Sequence, residues 1–506
     1  MESLYITLCL VFATLILLYT FLMWNFASWR KRGVPEAISH LGIGTFPSLF
    51  TQNRHFIYDV DQVYRNYRNS HKFVGVFTGR APQLLILDPE LVHRIYVNDF
   101  KHFHDNEIGE NIDPNTDVIS ANNPFFLRGE LWKERRHELA PGMSANRIKS
   151  IYPVTLEFCK RLTDFIRYQA KVPEKNGFDA YDLCLRYTTE VVSDCVLGIH
   201  VGTLNDKPSE FVDMIKNLLT FSSSQIIYQA VVALVPSLRK FIKKSFFTKE
   251  KTQFFFDLMS QSIELRQKEK NNQRADFLNF LLQLQEKKNY SKTILTANAM
   301  TFLTDGFLTT AHSIAHCLLG LARNPVAQEK LRQEILSSIN EDGCVSFESL
   351  SEMPYLDACF NEALRLFSPL SSMTKLCTQP YKFVNSNGKS FEMKRGEIVF
   401  IPLHSIHHDE QNYEDPEEFM PERFSPENGG VKKYREEGKY LGFGDGPRTC
   451  MGMRFGSTQA KAAIIEIIRN FNVTVNPKTR DDNLLDKMEL LSVLDGGVWL
   501  NFEPIE

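Results

Sequence analysis

Residues 443–452 read FGDGPRTCMG, and the fold of the whole chain turns on what this loop holds. Glycines at 444, 446 and 452 let a backbone turn tightly and come close to a large flat ligand. The stretch that follows, GMRFGSTQAKAAIIEIIRN, has helical periodicity. Cys450 therefore stands just ahead of a helix N-terminus, where the dipole and free N–H groups favour thiolate over thiol. A thiolate so placed can ligate haem iron, and N–H groups pointing at the sulfur would set how strongly it donates. Taken alone, a cysteine in a glycine turn is a small buried hydrophobe. The rest of the chain has to decide.

Three further patterns do. ACFNEALRLF carries Glu362 and Arg365 three apart and so on one helical face, and PERF (421–424) offers Arg423 to complete a buried Glu-Arg-Arg cluster. By itself an E-x-x-R is a surface ion pair worth little. WKERR puts Trp132 and Arg136 one turn apart, which alone is only a basic amphipathic turn. With F-x-x-G-x-R-x-C-x-G satisfied in full at 443–452, this set, in this order and over nearly the whole chain, resembles the cytochromes P450. The resemblance implies a mainly α fold with small β-sheets, the cytochrome P450 fold, around haem b (iron protoporphyrin IX). Cys450 would be the axial ligand of the iron, with Phe443, Gly444 and Gly452 shaping the cofactor loop. Trp132, Arg136 and Arg448 would hydrogen-bond the haem propionates, and Glu362, Arg365 and Arg423 would hold the fold around the haem.

Two departures concern those propionates. HFHDNE has Asn106 where the family's drug-metabolising branch commonly has an arginine, and SSMTKLCT has Lys375 where another arginine is usual. Lysine keeps the charge and loses the bidentate fork, so Lys375 is carried as a cofactor-binding residue and Asn106 is not.

TDGFLTTAH (304–312) resembles the family's oxygen-binding helix, (A/G)-G-x-(D/E)-T-T. Gly306 would open a groove above the haem, and the Thr309 hydroxyl would hold water and dioxygen for proton delivery. Its bland counterpart is a helix-interior threonine bonded back to a carbonyl. The usual acid has become Leu308, and Asp305 is the only formally charged side chain between Lys292 and Arg323. A buried acid without a partner is costly. Four residues ahead of Thr309 and on its face, Asp305 is expected to relay protons to it or to pair with a cationic substrate. A covalent ester to a haem methyl, as the resemblance to the fatty-acid hydroxylases allows, is a further expectation. The plain alternative is a structural aspartate bonded to backbone or to a base.

The 506 residues, 43% hydrophobic and 24% charged with net charge -3, are globular in composition and carry no basic excess for nucleic acid. Nine scattered cysteines without a CxxC pair suit a reducing compartment. Leu4 to Trp24 is an uncharged run long enough to span a bilayer. Arg30, Lys31 and Arg32 follow it, which leaves the body cytoplasmic, and Trp24 and Trp29 fit an interfacial belt. The expected organisation is an anchor over 1–29, a Pro/Gly-punctuated basic linker over 30–50 and a haem domain over 51–506. Within it, FVGVFTGRAPQLLILDPELVHRIY predicts two strands turning at Gly79–Pro82, then a helix capped by Asp88 with Pro89 at its first position. Helices are expected near 130–137, over about 291–323 and through DACFNEALRLF, and strands in KLCTQPYKFV and EIVFIPL. The segment FSSSQIIYQAVVALVPSLRKFIKK, apolar and then basic, suits a substrate-entry region dipping into the membrane as well as it suits a core.

The function implied is an endoplasmic-reticulum monooxygenase oxidising apolar small molecules (xenobiotics, hormones or lipids), of the kind found among insect microsomal P450s. No flavin or nicotinamide fingerprint is present, so electrons are expected from NADPH through a separate P450 reductase, with cytochrome b5 as a second partner. Lys133, Arg135, Lys432, Lys433, Arg435 and Lys439 are the candidate docking face. Two alternatives stand beside it: a haem-thiolate isomerase or dehydratase acting on oxygenated lipids without reductase, and a non-enzymatic membrane haem binder.

Overall fold

A computed structural model describes residues 2–171, 176–205, 207, 209–268 and 274–505, less the side chain of Lys240. The helices used below are α1 (Glu2–Met23), α2 (Gly129–Leu139), α3 (Ala180–Leu197), α4 (Ser223–Leu234), α5 (Lys292–Arg323), α6 (Pro354–Leu366) and α7 (Met453–Asn470). The strands are β1 (Phe73–Thr78), β2 (Ala81–Ile86), β3 (Asp105–Asn106), β4 (Met373–Leu376) and β5 (Ile398–Ile401). Local signals set the boundaries. The Ser291 hydroxyl accepts the Ile294 N–H at 3.4 Å and starts α5, and Pro325 cannot continue it. The Asp88 carboxylate accepts the Glu90 N–H at 3.1 Å ahead of Pro89, as expected.

The chain divides into two compact units, each assembled from separate stretches. The first comprises Met1–Asn111, Phe221–Lys244 and Ser372–Ile406. Its sheet runs β1-β2-β5-β4-β3. The β1–β2 hairpin pairs Phe73 with Ile86 through Thr78 with Ala81, and Gly79 at its turn has φ +58°. KLCTQPYKFV splits between two sheets: β4 lies in the five-stranded one, whereas Tyr381–Val384 pairs only with Ser390–Met393.

α1 is 22 residues of apolar helix with none of its length buried, long enough to cross a membrane. Beyond it the two tryptophans expected at an interface part ways. Trp24 is 79% exposed, but Trp29 is 1% exposed and belongs to the core of this unit. Its indole N–H donates to the Val76 carbonyl at 3.3 Å, and its ring lies so close to β1 that a Cβ on Gly75 would come within 2.2 Å. Arg32 stacks over the same ring and pairs with Glu397 at 2.6 Å. The stretch read as a linker likewise lies along β1, the Ala37 N–H donating to the Gly75 carbonyl at 2.9 Å. α4, opened by a Ser222–Gln225 capping box, buries Gln225 and Val232 and leaves Ile226, Ile227 and Val231 exposed, with Phe241 exposed just after it.

The second unit comprises Ile112–Thr220, Ser245–Ser371 and His407–Glu506. α5 runs through its middle, buried along most of its length, and packs on α3, α6 and α7. A Cβ at Gly306 would meet the Val192 methyls of α3 at 3.2 Å. The absence of a side chain at Gly306 thus leaves room for the neighbouring helix.

Candidate functional site

The second unit gathers most of the residues the sequence singled out. The loop at 443–452 turns as its glycines require: Gly444 and Gly446 sit at φ +70° and +63°, and the Cys450 N–H closes back on the Phe443 carbonyl at 2.9 Å. Gly452, the N-cap of α7, has φ -85° and needs no special backbone freedom; its Cα faces the Cys450 sulfur, 4.0 Å from where a Cβ would stand.

Trp132 and Arg136 project from α2 toward this loop. The Arg448 guanidinium stacks 4.0 Å from the Trp132 ring centroid and donates to the Leu127 carbonyl at 2.9 Å. Arg136 donates to the Thr449 carbonyl at 2.8 Å and has no carboxylate partner among the described residues. Burial lowers its pKa, and only the charge of Cys450 offsets this. A half-buried guanidinium left without an anion, beside a stacked Trp–Arg pair and one cysteine, suits a ligand that brings carboxylates and a metal together. Among the described residues no cluster of three or more His, Cys, Asp or Glu could hold an ion alone, so Cys450 would serve as the single protein ligand of an iron carried by a larger group. The residues fit haem.

Burial pushes the Cys450 thiol up to about 11, and the charge of Asp305 adds to it; the Gly452 N–H and Arg136 pull it down but do not win. The helix start alone does not hold a thiolate, and deprotonation would come with the metal.

The Glu-Arg-Arg cluster is formed and fully buried. Arg365 clasps Glu362 with two bonds of 2.8 Å, Arg423 donates to Glu362 at 3.1 Å, and the Met420 N–H adds a fourth bond at 3.0 Å. Burial alone would favour neutral Arg365, but Glu362 keeps its pKa raised. The remaining Arg365 donors reach the carbonyls of His407 and Pro416, both at 2.7 Å, so the cluster ties α6 to the chain that leads into the cysteine loop.

Asp305 on α5 and Cys450 on its loop both keep accessible surface, and the charge of Asp305 reaches the Cys450 thiol, so both would border the cavity that a bound haem takes. Burial pushes the Asp305 carboxyl up to about 6, and the Thr304 hydroxyl, 3.2 Å away, pulls the other way. Thr309 takes the bland geometry, its hydroxyl donating to the main-chain carbonyl of Asp305. It does not touch the carboxylate.

Lys375 lies in the first unit, buried, its ammonium donating to the Asn106 side-chain carbonyl at 2.9 Å. β3 and β4 put the two residues directly opposite one another. The two departures from the propionate pattern are therefore partners, which no local signal announced. Sequence reading also missed Gln459 and Tyr187: the Tyr187 hydroxyl donates to the Gln459 carbonyl at 2.9 Å, and the Gln459 amide reaches the Thr310 hydroxyl at 3.4 Å. Arg135, taken for the docking face, is buried against Asn298, Glu138 and the Tyr290 ring and cannot serve there.

A cysteine on a glycine-turned loop, facing a buried acid-bearing helix and flanked by arginines, defines the class: a haem-thiolate enzyme. The cytochrome P450 family model matches residues 44–499. The chain belongs to the cytochrome P450 family and is a haem-thiolate monooxygenase. It is 50% identical over 496 residues to the probable cytochrome P450 28d1 of Drosophila melanogaster, covering 98% of each chain, and 45% identical over 504 residues to the probable cytochrome P450 28a5 of the same fly, covering 99% of each. To cytochrome P450 6A1 of Musca domestica it is 31% identical over 502 residues, covering 96% of this chain and 95% of that one.

Proposed function

We propose that this protein is a membrane-anchored monooxygenase of the endoplasmic reticulum that oxidises apolar small molecules with electrons drawn from NADPH through a separate reductase. One arrangement carries the reading: Cys450 on a loop between Arg136 and the Trp132–Arg448 stack, opposite α5. Haem bound there would supply the dioxygen-activating chemistry. The chain's own residues do the rest. Cys450 would hold the iron, and Trp132, Arg136 and Arg448 would hold the propionates. Glu362, Arg365 and Arg423 fix the approach to the loop.

α1 supports single-pass anchoring, and the basic residues after it, with Arg30 largely exposed, support a cytoplasmic catalytic body. The exposed apolar face of α4 with Phe241, followed by Lys243 and Lys244, supports a second contact with the bilayer. The test is a reduced-CO difference spectrum on purified protein, followed by NADPH consumption and product formation with purified reductase, with and without cytochrome b5. A thiolate-type spectrum and coupled turnover are expected. Turnover that ignores the reductase, or a spectrum with no turnover on any apolar substrate, would overturn the proposal.

A further inference from the structure

The second unit treats its interior acids consistently, with one exception. Some are matched to cations: Glu362 to Arg365 and Arg423, Asp276 to Arg266, Glu138 to Lys288. Others accept backbone N–H groups, as Glu190 does from Thr203 and Asp117 from Phe246. Asp305 does neither. Its side chain bonds only the neighbouring Thr304 hydroxyl, and no Lys, Arg or His pairs with it among the described residues. On its face of α5 the neighbours three and four residues away are Thr301, Phe302, Leu308 and Thr309, and it keeps accessible surface, as Cys450 does, on the side from which its charge reaches that thiol.

Two uses of such a group compete. A proton relay through the carboxylate needs a hydroxyl within reach, and Thr309 has committed its proton to the Asp305 main-chain carbonyl. A counter-ion needs only an anion facing the cavity, without an internal partner. The second description fits. A carboxylate that faces the cavity without an internal partner gains a charge-assisted contact from an organic cation that a neutral ligand of the same shape cannot supply. Sites built this way reject the analogue that lacks the complementary group.

We propose that Asp305 is the specificity-determining residue of the cavity and that it selects lipophilic cations, protonated amines with an apolar body, as substrates. The inference rests on the haem-thiolate reading, because the cavity is a substrate pocket only if Cys450 holds the haem.

The full-length, haem-loaded protein in detergent is titrated by calorimetry at neutral pH with two probes: 4-phenylbutyl-trimethylammonium, which has no lone pair for iron, and its neutral isostere with carbon in place of nitrogen. A reduced-CO spectrum accompanies each sample. The wild type should bind the cation at least about 30-fold tighter than the isostere, and Asp305→Asn should lose about 30-fold of the cation's affinity while leaving the isostere's nearly unchanged. Asp305→Glu should keep most of the preference. Equal binding of the two probes by a wild type with a thiolate-type spectrum overturns the counter-ion role alone. So does a cation preference that survives in Asp305→Asn, or an equal loss of both probes in that variant with its spectrum intact, which marks a structural acid. A wild type without the thiolate-type spectrum overturns the reading beneath it.

Discussion

Cys450 sits among influences that mostly hold its proton on, so its role is tested by what it binds and not by its reactivity. Cys450→Ser should abolish the thiolate-type CO spectrum, while Ala at Cys159, Cys184, Cys195 or Cys317, all buried, should leave it in place; a spectrum retained in Cys450→Ser would sink the assignment. Asp305 makes a second prediction, about stability. Its carboxyl rises from 3.8 to about 6 on folding, so the folded state binds the proton more tightly than the unfolded chain. For an acid shifted upward, stability falls as pH climbs from about 4 to about 6 and stays reduced above that. Asp305→Asn removes the penalty. Its Tm should exceed that of the wild type by ~2 °C or more at neutral pH, with the gap shrinking toward pH 5; a gap independent of pH would show that charge burial is not its cause. The cysteine loop was legible in the sequence because positive-φ glycines and a capped helix are local. The packing of Gly306 on Val192, the Lys375–Asn106 pair and the Gln459–Thr310 contact were not, because each joins residues far apart in the chain.

Helix and strand boundaries followed their local signals, the Ser291 cap and Pro325 stop of α5 and the Asp88–Pro89 start being the clearest cases. What the sequence concealed is where the anchor ends. The apolar run stops at residue 24, and aromatic residues just beyond such a run usually mark the membrane interface. Here Phe26 packs edge-on against Phe77 at 5.0 Å, and Trp29 fills the space that Gly75 leaves beside β1. Hydropathy cannot tell an interfacial tryptophan from a core one. Only the pairing with a glycine in a strand could have hinted at it. Deleting residues 2–23 should therefore release much of the protein from membranes with its CO spectrum preserved, with the apolar face of α4 keeping a part attached. Deleting 2–29 should also cost the core contact, which for a fully buried tryptophan is about 3–5 kcal/mol. Trp29→Ala in the full-length chain isolates that term. If both truncations and Trp29→Ala melt together with the wild type, Trp29 is not part of the folded core.

For the whole molecule the open relation is with the electron donor, and charge placement narrows it. Of the six cations expected on a docking face, Arg135 is buried, Arg435 pairs with Asp445 at 3.0 Å and Lys439 pairs with Glu437 at 2.6 Å. Lys133 and Lys432 remain largely exposed in loose pairs of 3.6 and 3.7 Å, and Lys433 is exposed as well. Loose surface pairs cost little to open, so these three lysines are the ones free to meet an acidic partner. They act through the long-range field rather than through fixed contacts, so their effect belongs to the rate of encounter and is screened by salt. Reversing Lys432 and Lys433 together to glutamate should lower kcat/KM for reductase by about tenfold at low ionic strength, and the deficit should close at about 0.5 M salt, where the screening length falls to a few ångströms. The CO spectrum of the variant should match the wild type, because neither lysine touches the cysteine loop or the Glu362 cluster. Arg135→Glu, by contrast, should lower the Tm by placing an acid beside Glu138. A double reversal that leaves the salt dependence of turnover unchanged would move the docking face elsewhere on the surface.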